Sequence, residues 1–189
     1  MINYQTASKE ELQNEFKRLA KEVSDTPFGV KKEFFHLPKI LGANETPLAI
    51  ASGFMDGNTW LITLTNKRVI FLDKGMLFGV TQVDINLDDV ASVAGKTGLI
   101  FGEITISTTA QNFTISNVLK ATVIPFTNLV NKAKDDKKNS TTYNVNHNYQ
   151  PETNKDDIVS KLERLATLKE KGILSNEEFL TQKEKILNS

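Results

Sequence analysis

The sequence predicts a mainly β protein with helices: about seven short antiparallel strands in a sandwich or small barrel, capped by a following helix. An amphipathic helix precedes the strands and a helical hairpin follows them. Three observations predict this. From Pro47 onward, apolar and polar residues alternate with a period of two over short stretches. Turn-forming residues punctuate those stretches at short intervals. On either side of the alternating region the apolar spacing becomes helical.

The first helix is expected from about Ser8 to Val23. Ser8 with Glu11 forms a capping box, and Leu12, Phe16, Leu19, Ala20 and Val23 make one apolar stripe. Thr26-Pro27-Phe28-Gly29 ends it. A second short helix is expected over Lys31–Leu41, reset around Pro38 and anchored by Phe34, Phe35, Leu37, Ile40 and Leu41. The alternation is clearest in Trp60-Ile62-Leu64, Val69-Phe71, Val83-Ile85-Leu87, Ile104-Ile106 and Phe113-Ile115. Leu48–Phe54 and Val90–Ala94 complete the strand set. Asp56-Gly57, Asn66, Asp73-Lys74-Gly75, Asp88-Asp89 and Ala110-Gln111-Asn112 are the turns. Val123–Lys134 then reads as a helix with Pro125 in its first turn, presenting Phe126, Leu129, Val130 and Ala133 to the open end of the strands.

Residues 135–154 are polar, broken only by Tyr143, Val145 and Tyr149, and are expected to be a flexible linker. Residues 155–189 read as a helical hairpin. Ile158, Leu162, Leu165, Ala166 and Leu168 form one stripe, and Phe179, Leu180, Ile186 and Leu187 the other. Gly172 ends the first helix, and Ser175 with Glu178 caps the second. Domains below roughly 40 residues bury too little to stand without a metal, a disulfide or a partner. The hairpin therefore docks on its own body, pairs with another copy, or serves another protein.

Composition narrows the function classes. The 189 residues (21.1 kDa) suffice for one domain with appendages. There is no cysteine, which removes disulfides, thiol nucleophiles and thiolate zinc sites, and only His36 and His147 offer imidazoles. Lys+Arg and Asp+Glu both number 23, with seven and seven in residues 1–45, seven and six in 46–134, and nine and ten in 135–189. No segment is a hidden basic module, which argues against nucleic acid as a partner. The N-terminus lacks the pattern of a secretory signal, and no apolar run reaches the length of a membrane span, so a cytoplasmic protein without integral membrane association is expected.

Catalytic material is scarce. Gly95, Gly98 and Gly102 do not fit the phosphate-loop spacing and read as turn or bulge glycines. Asp88-Asp89, Asp135-Asp136 and Asp156-Asp157 fall at turn, linker and helix-start positions. His36, between Phe35 and Leu37-Pro38, reads as structural. No catalytic residue, metal site or cofactor is expected, and no enzyme.

Residues 53–75, Gly-Phe-Met-Asp-Gly-Asn-Thr-Trp-Leu-Ile-Thr-Leu-Thr-Asn-Lys-Arg-Val-Ile-Phe-Leu-Asp-Lys-Gly, resemble the bacterial pleckstrin-homology-like domains, whose landmark is this Leu-Thr-Asn-Lys-Arg hairpin. Lys96–Ile106 and Ile115–Val118 look like later strands of the same family. Ile158–Leu165 with Lys169–Phe179 is similar to the SHOCT (short C-terminal) domain. The resemblance implies seven strands in two bent antiparallel sheets, a partly open barrel capped by one helix. It supplies no catalytic role. It divides the chain into a helix at 1–30, a PH-like body at 31–134, the linker, and the SHOCT hairpin, and it makes a phage or prophage origin plausible. Phosphoinositide-binding members use Lys and Arg around the first strand-to-strand loop. Here that loop is Met55-Asp56-Gly57-Asn58, with an acid and no base, which argues against that ligand.

The expected function is contact: a protein-interaction or oligomerisation module, whose tethered tail raises the local concentration of a second contact to about millimolar. The candidate partner-binding residues are Ile158, Leu162, Leu165, Phe179 and Ile186 in the tail and Leu12, Phe16 and Leu19 at the N-terminus. For the N-terminal stripe three uses are open: packing on the strand body, pairing with another chain, and membrane-surface insertion, the last disfavoured by its mixed charges. Lys67 and Arg68 are the candidate anion site, in an alternative where the body binds an anionic lipid or small ligand. The competing reading has both side chains covering a strand edge and solvated.

Overall fold

A capping box fixes where the first helix begins. Ser8 Oγ accepts from the Glu11 N–H at 3.2 Å, and Glu11 Oε2 accepts from the Ser8 N–H at 2.8 Å, so two orphan donors are satisfied reciprocally. Helix α1 (Lys9–Lys21) follows. Ser24, at φ 56°, turns the chain out of it. Helix α2 is the single turn Lys31–Phe34, and a 3-10 turn covers Leu37–Lys39. The expected helix over Lys31–Leu41 is thus split, because Pro38 has no N–H to give the Phe34 carbonyl. The computed structural model describes residues 2–75, 79–145, 165, 166, 169 and 176–187. The chain divides into two units, Met1–Asn144 and Val145–Ser189.

Seven antiparallel strands build the first unit: β1 (Pro47–Met55), β2 (Asn58–Thr65), β3 (Arg68–Lys74), β4 (Val80–Asn86), β5 (Ser92–Thr97), β6 (Phe101–Ser107) and β7 (Asn112–Leu119). Their order is β4-β3-β2-β1-β7-β6-β5. The β1–β2 hairpin closes on Asp56 and Gly57 at φ 50° and 83°, the pair of positive values that a tight hairpin turn needs. β1 and β7 meet at the register pair Phe54↔Ser116. Gly53 permits that approach: a Cβ there would lie 2.5 Å from Ile115 Cγ1 and 2.8 Å from the Ser116 carbonyl oxygen. β4 and β5 are consecutive in the chain yet form opposite edges, so the bent sheet is not closed.

The inner face of the sheet holds one core, including Trp60, Ile62, Leu64, Phe71, Ile104, Ile106 and Ile115. Helix α3 (Lys120–Val145) covers it with Val123, Phe126, Val130 and Ala133. A second core lies on the outer face of β1–β3. There Ile50, Leu61, Ile70 and Leu72 pack with Leu12, Phe16, Leu19 and Ala20 of α1 and with Phe34 and Leu37. Burying each such large side chain contributes about 1.5–3 kcal/mol. Strands covered on both faces read as continuous apolar runs, as in Val69–Leu72.

Helix α3 differs from its expected extent. It starts at Lys120, not Val123, so Pro125 lies inside it, past the first turn. It also continues beyond Lys134 to Val145, through the first part of the segment expected to be a linker. Extending a nucleated helix costs little per residue, and side chains support the extension: Lys132 Nζ lies 3.0 Å from Asp136 Oδ2, and Lys137 pairs with Asp88. In the second unit, α4 spans Asn176–Leu187, while Gly172 and Ser175 lie outside the described residues.

Candidate interaction sites

The tight link between β2 and β3 is organised by Thr65, whose hydroxyl accepts from the N–H groups of Lys67 and Arg68 and donates to Glu45 Oε1 at 2.9 Å. That turn brings Arg68 onto a buried carboxylate. Arg68 Nε and Nη2 lie 2.8 and 2.9 Å from the two oxygens of Glu45, Nη1 lies 2.7 Å from Asp84 Oδ2, and Nη2 also donates to the Ile40 carbonyl. Burial would raise the Glu45 carboxyl, but Arg68, the Gly42 N–H and Thr65 together hold it below its ordinary value. The same bonds to Glu45 push the guanidinium of Arg68 up. Arg68 is not the solvated edge side chain of the competing sequence reading, since its side chain is 19% exposed and fully engaged. An approaching anion would meet Glu45 and Asp84 there. Lys67 extends its Nζ to the Ala43 carbonyl.

The N-terminal stripe faces inward. Leu12, Phe16 and Leu19 are buried in the second core, with the Phe16 and Phe34 rings edge to face at 5.1 Å. The polar side of α1 carries a network around buried Glu15, which accepts from the Tyr4 hydroxyl at 2.8 Å and from Arg18 Nε and Nη2 at 2.7 Å each. Arg18 holds the Glu15 carboxyl low, and burial followed by Glu15 drives the Tyr4 phenol up. A cavity of about 660 Å³ opens beside this network, between α1, the start of β1 and α3. Its floor is apolar (Leu48, Leu129), and its rim is charged but paired, Arg18 with Glu22 and Lys132 with Asp136.

In the second unit, Lys169 Nζ sits 4.6 Å above the centre of the Phe179 ring, a cation–π contact within the tail. Leu165 is buried, Phe179 half-buried, and Leu180 is 62% exposed. Ile158 and Leu162 lie outside the described residues, and for Ile186 only its place in α4 is described. Among the described residues, no group of three His, Cys, Asp or Glu side chains gathers as a metal site, and no helix is long and apolar enough to cross a membrane.

Residues 41–132 match the bacterial PH domain, and residues 160–187 match the short C-terminal domain. Solved structures similar to this chain include two from Shewanella species. A pleckstrin homology domain from Shewanella amazonensis SB2B is 21% identical, with a TM-score of 0.35, covering 46% of this chain and 81% of that one. A DUF1696 family protein with a pleckstrin-homology domain from Shewanella loihica PV-4 is 20% identical, with a TM-score of 0.37, covering 57% and 95%. No curated protein matches the chain.

Two features of the first unit escaped the sequence reading. Asp25 is buried where α1 ends, accepting from the Ser52 N–H at 2.8 Å and from the Thr122 hydroxyl at 3.3 Å. It ties the N-terminal segment to β1 and to α3. Burial raises its carboxyl above the ordinary value, against the bonds it accepts from Ser52, Thr26 and Thr122. The other feature is the β5–β6 hairpin, where Leu99, Ile100 and Phe101 are 89%, 62% and 48% exposed. Three apolar residues directly after Gly98 were the available signal, and they read as part of a strand.

Proposed function

We propose that this chain is a non-enzymatic protein-interaction module of the cytoplasm. The bacterial PH domain is a platform, and the SHOCT tail is the element that docks on a partner or a second copy. The observation that carries the reading is the division of the chain at Asn144: a body with two cores of its own, and a tail, Val145–Ser189, whose SHOCT-matching segment, residues 160–187, is of the size that ordinarily needs a partner. The paired rim of the 660 Å³ cavity and the engaged Arg68 also speak for contact over chemistry. Oligomerisation through the tail is one form of this reading. A phage- or prophage-borne factor that binds a host or defence protein is a finer form; it rests on the family resemblance, and the genes beside this one test it. Anionic-ligand binding at Lys67 and Arg68 is not favoured, because Glu45 and Asp84 already hold the guanidinium.

Light scattering on the full chain and on a chain ending at Asn144 tests the self-associating form. A larger mass for the full chain alone supports it. Equal monomeric masses, together with no protein retained by the tail in pull-downs, would sink the proposal.

A further inference from the structure

A bent sheet that does not close leaves two edges, β4 and β5. An edge strand presents a row of unpaired N–H and C=O groups, which proteins commonly blunt with lysine, proline, a bulge or a very short strand. β5 is blunted by Lys96 and weakened by Gly95. β4, Val80-Thr81-Gln82-Val83-Asp84-Ile85-Asn86, has none of these devices. Its register against β3 runs over all seven residues without a shift. Its one charge, Asp84, is answered by Arg68 Nη1 at 2.7 Å.

The ladder fixes which backbone groups of β4 are left over. The Gly75 N–H donates to the Gly79 carbonyl at one end of the β3–β4 pair, and the Leu87 N–H to the Lys67 carbonyl at the other. Bonded pairs alternate along an antiparallel ladder. Val69↔Ile85, Phe71↔Val83 and Asp73↔Thr81 are therefore the bonded pairs between them. It follows that Val80, Gln82, Asp84 and Asn86 turn their N–H and C=O groups away from β3. Side chains alternate too, so Val83 and Ile85 face the inner core while Gln82 and Asp84 lie on the outer face.

A strand that completes this edge must offer matching free groups at every second residue. β4 itself does so. Two copies running antiparallel about Val83 set Val80 opposite Asn86 and Gln82 opposite Asp84, each twice, and use every free group of the strand. Slipping by one residue would set free groups against groups that β3 already holds. Centring on Asp84 would bring two carboxylates face to face, and centring on Gln82 would leave Asn86 beyond the strand end. About Val83, each Gln82 amide meets the Asp84 carboxylate of the other copy. Within one chain that amide already donates to Asp84 Oδ2 at 2.7 Å, so the donor and acceptor are matched in kind. On the inner face Val83 meets Val83 and Thr81 meets Ile85, β-branched pairs that suit a ladder.

We infer that β4 is a self-pairing edge, through which two copies of this chain join antiparallel about Val83 into one continuous sheet. The contact belongs to the first unit and stands or falls independently of any contact made by the SHOCT tail.

Because the chain has no cysteine, single thiols in the full chain read the register. Val83→Cys lies on the two-fold axis, opposite its own copy in a non-bonded pair, where Cα atoms are about 4.5 Å apart and a disulfide can form. Thr81→Cys is the control, since its counterpart stands four residues along the strand, about 13 Å away. Under mild oxidation, Val83→Cys should give a covalent dimer about tenfold faster or more than Thr81→Cys. Gln82→Pro removes an N–H that points away from β3. It should halve the mass read by light scattering, with the Trp60 emission unchanged. The inference is overturned if Val83→Cys stays uncrosslinked or if folded Gln82→Pro keeps the parent mass. It is equally overturned if both thiols crosslink at one rate, as association through the tail alone would give.

Discussion

Arg68 and Glu45, far apart in sequence, meet through a two-pronged ion pair of 2.8 and 2.9 Å that fastens the segment before β1 to the start of β3. The Glu45 side chain is 2% exposed, so removing its partner leaves a charge inside the protein. Arg68→Met is therefore expected to destabilise by about 3–5 kcal/mol. Glu45→Gln, which keeps shape and some bonding, should cost about 1–3 kcal/mol. The double variant should be less unstable than the sum of the two, as measured by urea denaturation of all four proteins.

The inward N-terminal stripe predicts a stability effect without an assembly effect. Phe16→Ala should lose about 3–5 kcal/mol, because it empties a site shared with Phe34. Ser8→Ala should lose about 1 kcal/mol through the capping box. Light scattering on either folded variant should give the mass of the parent protein.

Helix α3 rests on glycines. A Cβ at Gly102 would overlap the Lys96 carbonyl oxygen and come 2.9 Å from Val123 Cγ2; one at Gly95 would come 2.7 Å from Val123 Cγ1. Backbone cannot yield as a side-chain end can. Gly102→Ala should thus be worse than Gly95→Ala, with losses of about 1–3 kcal/mol for the milder variant, read as denaturation midpoints.

The carboxylates give stability two opposite pH dependences. Glu15 and Glu45 are held below their ordinary values, so their contribution is present above the unfolded value of about 4.3 and is lost as pH falls through the lower folded values. Asp25 is raised, so its contribution is complete below about 3.9 and is lost as pH rises through its higher folded value. The melting temperature of Asp25→Asn relative to wild type should therefore climb as pH rises above about 4. A flat difference would show that Asp25 ionises in the folded state as it does in the unfolded chain.

The strands were legible because alternation and turn chemistry are local. Asp56-Gly57 announces its hairpin, and Ile104-Ile106 announces its inward face. What escaped depends on distant partners. Arg68 looked like a solvated edge residue because Glu45 and Asp84 reach it only once β1, β3 and β4 are assembled. Gly102 was read as a turn or bulge residue and does stand at a register shift of β6 against β7, but Gly95 lies in the regular part of β5, and that both are the seat of α3 was not legible. The end of α3 was misplaced because Asp135–Asn139 is polar, and polarity does not report the pairing of Lys137 with Asp88. Of the candidate partner residues, Leu12, Phe16 and Leu19 could be placed by periodicity on one stripe, but not assigned to the body's own outer sheet face.

The central claim, contact through the SHOCT tail, is tested most directly by tagging the full chain and the chain ending at Asn144 in the source cells, with an untagged second copy present, and quantifying what co-purifies. The account predicts a polypeptide, either the second copy or another protein, retained in near-stoichiometric amount by the full chain and absent from the shortened one. Identical sets of retained proteins from both would contradict it.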